Sequence, residues 1–120
     1  MSKKPTPAPV VPQVLIKVDP YKPKGQQCIP DPAFAVKGNQ PTTFVFILEN
    51  SSIWQWQGTS PVVVPGGGNQ FPFPSHVQPS AGAVVLHDNN DDKKQYKYEV
   101  TVSNKLTGEI VFIDPIIQNQ

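Results

Sequence analysis

An all-β fold, two antiparallel sheets packed face to face as a sandwich, is predicted from three observations on this chain. Apolar and polar residues alternate at period two in several short runs, the pattern of strands with one buried face. The 15 prolines and 8 glycines punctuate the sequence at the spacing of seven or eight short strands. Nowhere do apolar residues recur at three- and four-residue intervals across ten positions without a proline or glycine between them.

The segments follow in order. Residues 1–12 are a proline-rich leader, because Pro5, Pro7, Pro9 and Pro12 deny it a helix or a paired strand; residues 13–120 form the single β domain. Val14, Ile16 and Val18 alternate until Asp19-Pro20. Phe34 and Val36 make a short piece after Asp31-Pro32. Thr42 to Glu49 is the most apolar segment, with Phe44, Phe46 and Leu48 on one face and Val45 and Ile47 on the other, which marks a central strand. Ile53 to Gln57 and Val62 to Val64 are further β runs, and Pro61 to Ser80, with Gly66-Gly67-Gly68 inside it, is read as a long inter-sheet crossover. Ala83 to His87 is another run, followed by the polar loop Asp88 to Lys94.

The C-terminal quarter has the clearest pattern. Tyr96, Tyr98, Val100 and Val102 alternate with Lys97, Glu99, Thr101 and Ser103. A five-residue turn ending in Gly108 leads to Glu109–Ile113, and Pro115, which cannot donate to a ladder, closes that run. Together these segments predict a Greek-key sandwich of the immunoglobulin-like or cupredoxin-like kind. The absence of βαβ alternation excludes a dinucleotide fold.

Composition narrows function. The chain of 120 residues suits one domain. No apolar run approaches the roughly 20 residues that span a bilayer, so no membrane partner is expected. The formal net charge is +1 and all 10 basic residues are lysine. Without arginine, the planar fork for phosphate and guanine edges is missing, which argues against nucleic-acid partners. Cys28 is the sole cysteine, so an internal disulfide is impossible, and no apolar stretch follows the basic start; both point to the cytoplasm.

Four constellations of residues bear on chemistry. A blue-copper site needs two imidazoles, a thiolate and a weak axial ligand. His76, His87, Cys28 and Met1 are the residues of those types, but Met1 lies in the leader and Cys28 comes early and alone, so no copper site and no cofactor are expected. Asp88, Asn90 and Asp92 occupy the first, third and fifth places of a calcium-loop spacing, with Glu99 at the twelfth. Lys93 stands where the sharp turn wants glycine, so a solvated hairpin loop is the better expectation and these three are the weaker, calcium-binding candidates. No Gly-x-Ser-x-Gly elbow or paired Cys–His pattern occurs, and Asp19, Asp31 and Asp114 each precede a proline, where turn capping is the ordinary role; the chain is expected not to be an enzyme. The fourth is Ile53-Trp54-Gln55-Trp56-Gln57: on a strand, Trp54 and Trp56 share one face, about 7 Å apart. With Gln55 between them, and Phe71 and Phe73 repeating the spacing, they either pack inward as core or form a platform for sugar rings or a protein.

The stretch from Tyr96 through Val102 to Ile113-Asp-Pro-Ile-Ile-Gln-Asn119, with Asp19-Pro20, Asp31-Pro32 and Asp114-Pro115, resembles the small bacterial proteins of the DP-EP family. The resemblance implies a bacterial, single-domain, all-β protein of unassigned function with no catalytic residues to transfer. The expected function is a binding or structural module for a protein or glycan partner, able to self-associate through an edge strand or aromatic patch. A carbohydrate-binding module using the tryptophans is the alternative, and a cupredoxin-like metal-binding protein the third reading.

Overall fold

Strand Thr42–Leu48 (β4) lies at the centre of the first sheet, a seven-residue run with apolar side chains on both faces and no glycine or proline to interrupt its pairing. Thr42, Phe44, Phe46 and Leu48 are buried, while Val45 and Ile47 on the reverse face are half-buried. The computed structural model describes residues 11–18, 28–78 and 82–120. The first ten residues of the predicted leader and the Asp19-Pro20 turn lie outside the described residues.

Around β4 the sheet runs in the order β2 (Cys28–Ile29), β1 (Gln13–Ile16), β4, β8 (Ala83–Asp88), β7 (His76–Val77). A second sheet runs β11 (Ile110–Ile113), β10 (Glu99–Asn104), β5 (Trp54–Trp56), with β6 (Val62–Val63) also on β10. A third runs β3 (Ala33–Phe34), β12 (Ile116–Gln118), β9 (Gln95–Lys97). The fold is therefore all-β, as predicted, but with twelve strands in three sheets among the described residues.

Two departures from an antiparallel plan have plain causes. β1 lies parallel to β4, Gln13 against Val45 and Ile16 against Leu48, and β3 lies parallel to β12. Parallel neighbours need a connection of a dozen residues or more, and in both cases the intervening chain is long enough. The extra sheet arises where Pro115, lacking an N–H, interrupts the hairpin. β9 and β10 are separated only by Tyr98, whose N–H donates to the Pro115 carbonyl at 3.0 Å, so the second and third sheets are stitched at that point. Pro115 ends one strand as predicted, but the chain resumes pairing at once as β12.

One apolar cluster receives side chains from all three sheets: Val14 and Ile16, Phe44 and Phe46, Val84 and Leu86, Trp54, Tyr98, Val100, Val102, Ile113 and Ile117. Phe46 and Tyr98 meet across it with ring centroids 5.4 Å apart. In β3 the inward face belongs to Ala33 and Ala35, so Phe34 points outward. Over 61–78, the described part of the predicted crossover at 61–80, the chain is more structured than expected. Ser75 clamps β6, accepting the Val62 N–H at 3.1 Å and donating to the Val62 carbonyl at 2.5 Å. A 3-10 turn at Gly68–Gln70 follows a close approach at Gly67, where a Cβ would sit 2.5 Å from the Phe71 ring.

Candidate functional site

The sequence-predicted residues fall into three separate places. β5 puts Trp54 and Trp56 on one face, as the period-two spacing requires, but that face is the inner one. Trp54 is 5% exposed within the core cluster. Trp56 is half-buried against the same cluster, its indole N–H donating to the Gly82 carbonyl at 2.7 Å. Gln55 faces outward and its amide donates to Ser103 Oγ at 3.3 Å. Of the two placements expected for the pair, Trp54 takes the inward one, where a ring of its size contributes most by filling the interior of a small sandwich.

Phe71 and Phe73 lie elsewhere. Phe71 is half-buried, edge-on to Tyr96 at 5.4 Å. Phe73 is exposed beside the His87 ring at 6.1 Å, at the rim of a shallow pocket of about 150 Å³ shared with Val62, Val64 and Leu86. Trp56 touches the start of β8 and Phe73 its end, about 17 Å apart at strand rise, so the four aromatics do not form one surface.

The third place is a polar cap at one end of the molecule, where loop 88–94 meets the 3-10 turn and the C-terminus. Asp88, Asn90 and Asn119 are fully buried and Gln70 nearly so. Asn90 is a strut, its Nδ2 donating to the carbonyls of Val36 at 2.6 Å and Gln40 at 2.9 Å while its Oδ1 accepts the Gln120 N–H at 2.7 Å. Its φ of 54° is one that asparagine tolerates better than most residues. Asn119 Nδ2 donates to Asp92 Oδ1 at 2.9 Å and to Gln70 Oε1 at 3.1 Å. Gln70 Oε1 also accepts the Asp91 N–H at 3.0 Å, and its amide nitrogen donates to Asp91 Oδ1. Asp88 Oδ1 accepts the Asn90 N–H at 2.9 Å, whereas Asp88 Oδ2 and Asn119 Oδ1 are buried without a donor. Burial pushes the Asp88 carboxyl up to about 6, against the pull of the Asn90 N–H and the Asn119 amide. At Asp92 burial acts the same way, but the Tyr96 hydroxyl, the Lys94 N–H and Asn119 outweigh it and hold the carboxyl below its ordinary value. In return, the bond to Asp92 pushes the Tyr96 phenol up to about 12. Sequence reasoning found Asp88, Asn90 and Asp92 but missed Gln70 and Asn119, which arrive from distant segments with no local signal.

Cys28 is buried, its thiol pushed up to about 12 by burial and by the charge of Asp31. The Tyr98 hydroxyl, with no nitrogen or oxygen partner, interacts with this sulfur, and burial raises its pKa as well. His76 and His87 lie on β7 and β8, and His87 pairs with Asn89 Oδ1 at 3.1 Å. Among the described residues no three His, Cys, Asp or Glu side chains gather as a metal cluster, and no helix is long and apolar enough to cross a membrane.

Neither a family model nor a curated protein matches this chain.

One further surface stands out. β11 is the terminal strand of its sheet, and Ile110 and Phe112 on it are 47% and 49% exposed. The Asn104 N–H donates to the Glu109 carbonyl at 2.8 Å, so 104/109 is a bonded pair; bonded and non-bonded pairs alternate, so Val102/Val111 and Val100/Ile113 are bonded too. The N–H and C=O of Ile110 and Phe112 therefore point to the open edge.

Proposed function

We propose that this chain is a non-enzymatic cytoplasmic binding module that pairs with a second copy of itself through the β11 edge. The observation that carries the reading is the uncharged edge run Ile110-Val111-Phe112-Ile113, with backbone groups of Ile110 and Phe112 directed outward. An unblocked apolar edge is a template for another strand. A two-fold axis through Val111 sets Ile110 of one copy opposite Phe112 of the other, twice. Such aromatic to β-branched cross-strand pairs contribute about 0.2–1 kcal/mol each. In that register Glu109 faces Ile113, so no like charges oppose each other.

The scaffold in this reading is a two-layer Greek key, the sheets joined at Tyr98 and Pro115 forming one layer. Its two parallel contacts favour the cupredoxin-like arrangement over the purely antiparallel immunoglobulin-like one. The DP-EP resemblance is kept as the proposed family, and the buried, reduced Cys28 suits the cytoplasm. A glycan platform has less support, since it needs two rings side by side at the surface and Trp54 is in the core.

Sedimentation velocity over a concentration series tests the pairing. A monomer–dimer equilibrium is expected, shifted to monomer by Phe112→Lys and by Phe112→Pro, which removes the ring and an outward N–H but no hydrogen bond to β10. A single monomeric species up to the solubility limit, in protein that is folded by circular dichroism, would overturn it.

A further inference from the structure

We propose that the open edge of β9, with the cavity at its end, takes an extended peptide in which an acidic residue alternates with basic ones. The Asn119 N–H donates to the Lys94 carbonyl and the Tyr98 N–H to the Pro115 carbonyl, so 94/119 and 98/115 are bonded pairs of the β9–β12 ladder. Bonded pairs alternate, which leaves the N–H and C=O of Gln95 and Lys97 pointing away from β12. Among the described residues β9 has no other neighbour in its sheet. These four backbone groups can therefore receive a strand.

Pro65 keeps that edge open. Glu99 pairs with Val63 of β6, and the same register would next set Pro65 against Lys97. Proline has no N–H to give, and the chain turns there, the Gly67 N–H donating to the Val64 carbonyl at 3.0 Å. A cavity of about 370 Å³ is left, lined by Pro65, Gly66, Lys97, Tyr98, Glu99 and Asp114. Its size falls in the range of binding pockets, about 300–1,000 Å³.

Charge selects the occupant. Tyr98 is buried, so Lys97 and Glu99 on either side of it share the outer face, about 7 Å apart. Among the described residues neither makes an ion pair or a side-chain hydrogen bond, whereas Asp114 is already engaged within the chain. A strand laid along β9 sets one residue opposite Lys97 and the residue two along beside Glu99. An acidic side chain suits the first place. A basic one suits the second, its aliphatic stem against Pro65 in the cavity and its head at Glu99. A second copy pairing through its own β9 would crowd Lys93, Lys94 and Lys97 of both chains together, which disfavours that occupant. The site lies across β10 from β11 and is independent of the self-pairing there.

The probe is a fluorescently labelled peptide, acetyl-Thr-Lys-Val-Glu-Val-Lys-Thr-amide, which reads the same in both strand directions, followed by anisotropy. One peptide is expected to bind per chain. The charge-swapped acetyl-Thr-Glu-Val-Lys-Val-Glu-Thr-amide should bind about tenfold more weakly, although its net negative charge better suits a chain of net charge +1. Exchanging the charges, Lys97→Glu with Glu99→Lys, should invert that preference, and a fully N-methylated probe should not bind. Phe112→Lys protein should bind the probe as the parent chain does, so failure here is separable from failure of the β11 pairing. No binding of either peptide overturns the site. Equal affinity for both charge patterns, or undiminished binding of the N-methylated probe, overturns it as well. So does a monomer–dimer equilibrium lost in the charge-exchanged variant, which would seat a second copy at β9.

Discussion

Asp88 brings a carboxyl group into the interior, and burial lifts its pKa from 3.8 to about 6. The sign of the resulting pH dependence follows from linkage. A group whose folded pKa is raised contributes stability that is complete below its unfolded pKa and is lost as pH rises through the folded one. Tm should therefore fall between pH 5 and pH 7, and Asp88→Asn should flatten that slope. Asp92, held low, acts in the opposite direction only below about pH 4, outside the window. Tyr98 gives a second residue-scale expectation. Its hydroxyl has no oxygen or nitrogen partner, so Tyr98→Phe should be neutral or slightly stabilising in urea unfolding, whereas Tyr98→Ala should cost about 3–5 kcal/mol. A large loss in the phenylalanine variant would show that the contact with Cys28 is worth more than an ordinary weak hydrogen bond.

At the scale of elements, β5 decides between core and platform. Trp54 packs in the interior and Trp56 only partly, so Trp54→Ala should cost about 3–5 kcal/mol in denaturant unfolding and Trp56→Ala clearly less. Equal, negligible losses would mean that both rings stand in solvent. Strands with a clear apolar run or alternation were legible in the sequence: β1, β4, β8 and β11 fall on the runs read there, whereas the single strand expected over Gln95–Ser103 is split at Tyr98 into β9 and β10 of different sheets. β2 and β7 are two residues each, too short to carry a period. β12 was hidden by Pro115, which ends one ladder without preventing the chain from joining β3 and β9 just beyond. Of the polar cap, the oxygen-rich loop was visible, because Asp88, Asn90 and Asp92 are neighbours. Gln70 and Asn119 were not, because they meet across 49 residues and only tertiary pairing brings them together.

At the scale of the molecule, long-range pairing joins the ends of the chain to the middle. β1 is wedged between β2 and β4, and β12 between β3 and β9, so the first and last described strands are both interior to their sheets. No local pattern announces this, since the two parallel partners are far apart in sequence. The C-terminal strand is therefore a structural keystone rather than a tail. Ile117 is fully buried in the common core, a side chain worth about 1.5–3 kcal/mol on burial. The Ala35 N–H donates to the Gln118 carbonyl, the Asn119 N–H to the Lys94 carbonyl and the Gly38 N–H to the Gln120 carbonyl, all at 3.0 Å. Removing residues 116–120 strips these bonds, unpairs both β3 and β9 and leaves the Asn90 strut without Gln120. Natively folded proteins hold only about 5–15 kcal/mol in reserve, so this truncation should abolish the cooperative melt by circular dichroism. Leu106→Ser, at a loop position 86% exposed, is the control and should leave the melt unchanged. A truncated chain that still melts cooperatively within a few degrees of the full one would place the stability in the first sheet alone and refute a single shared core.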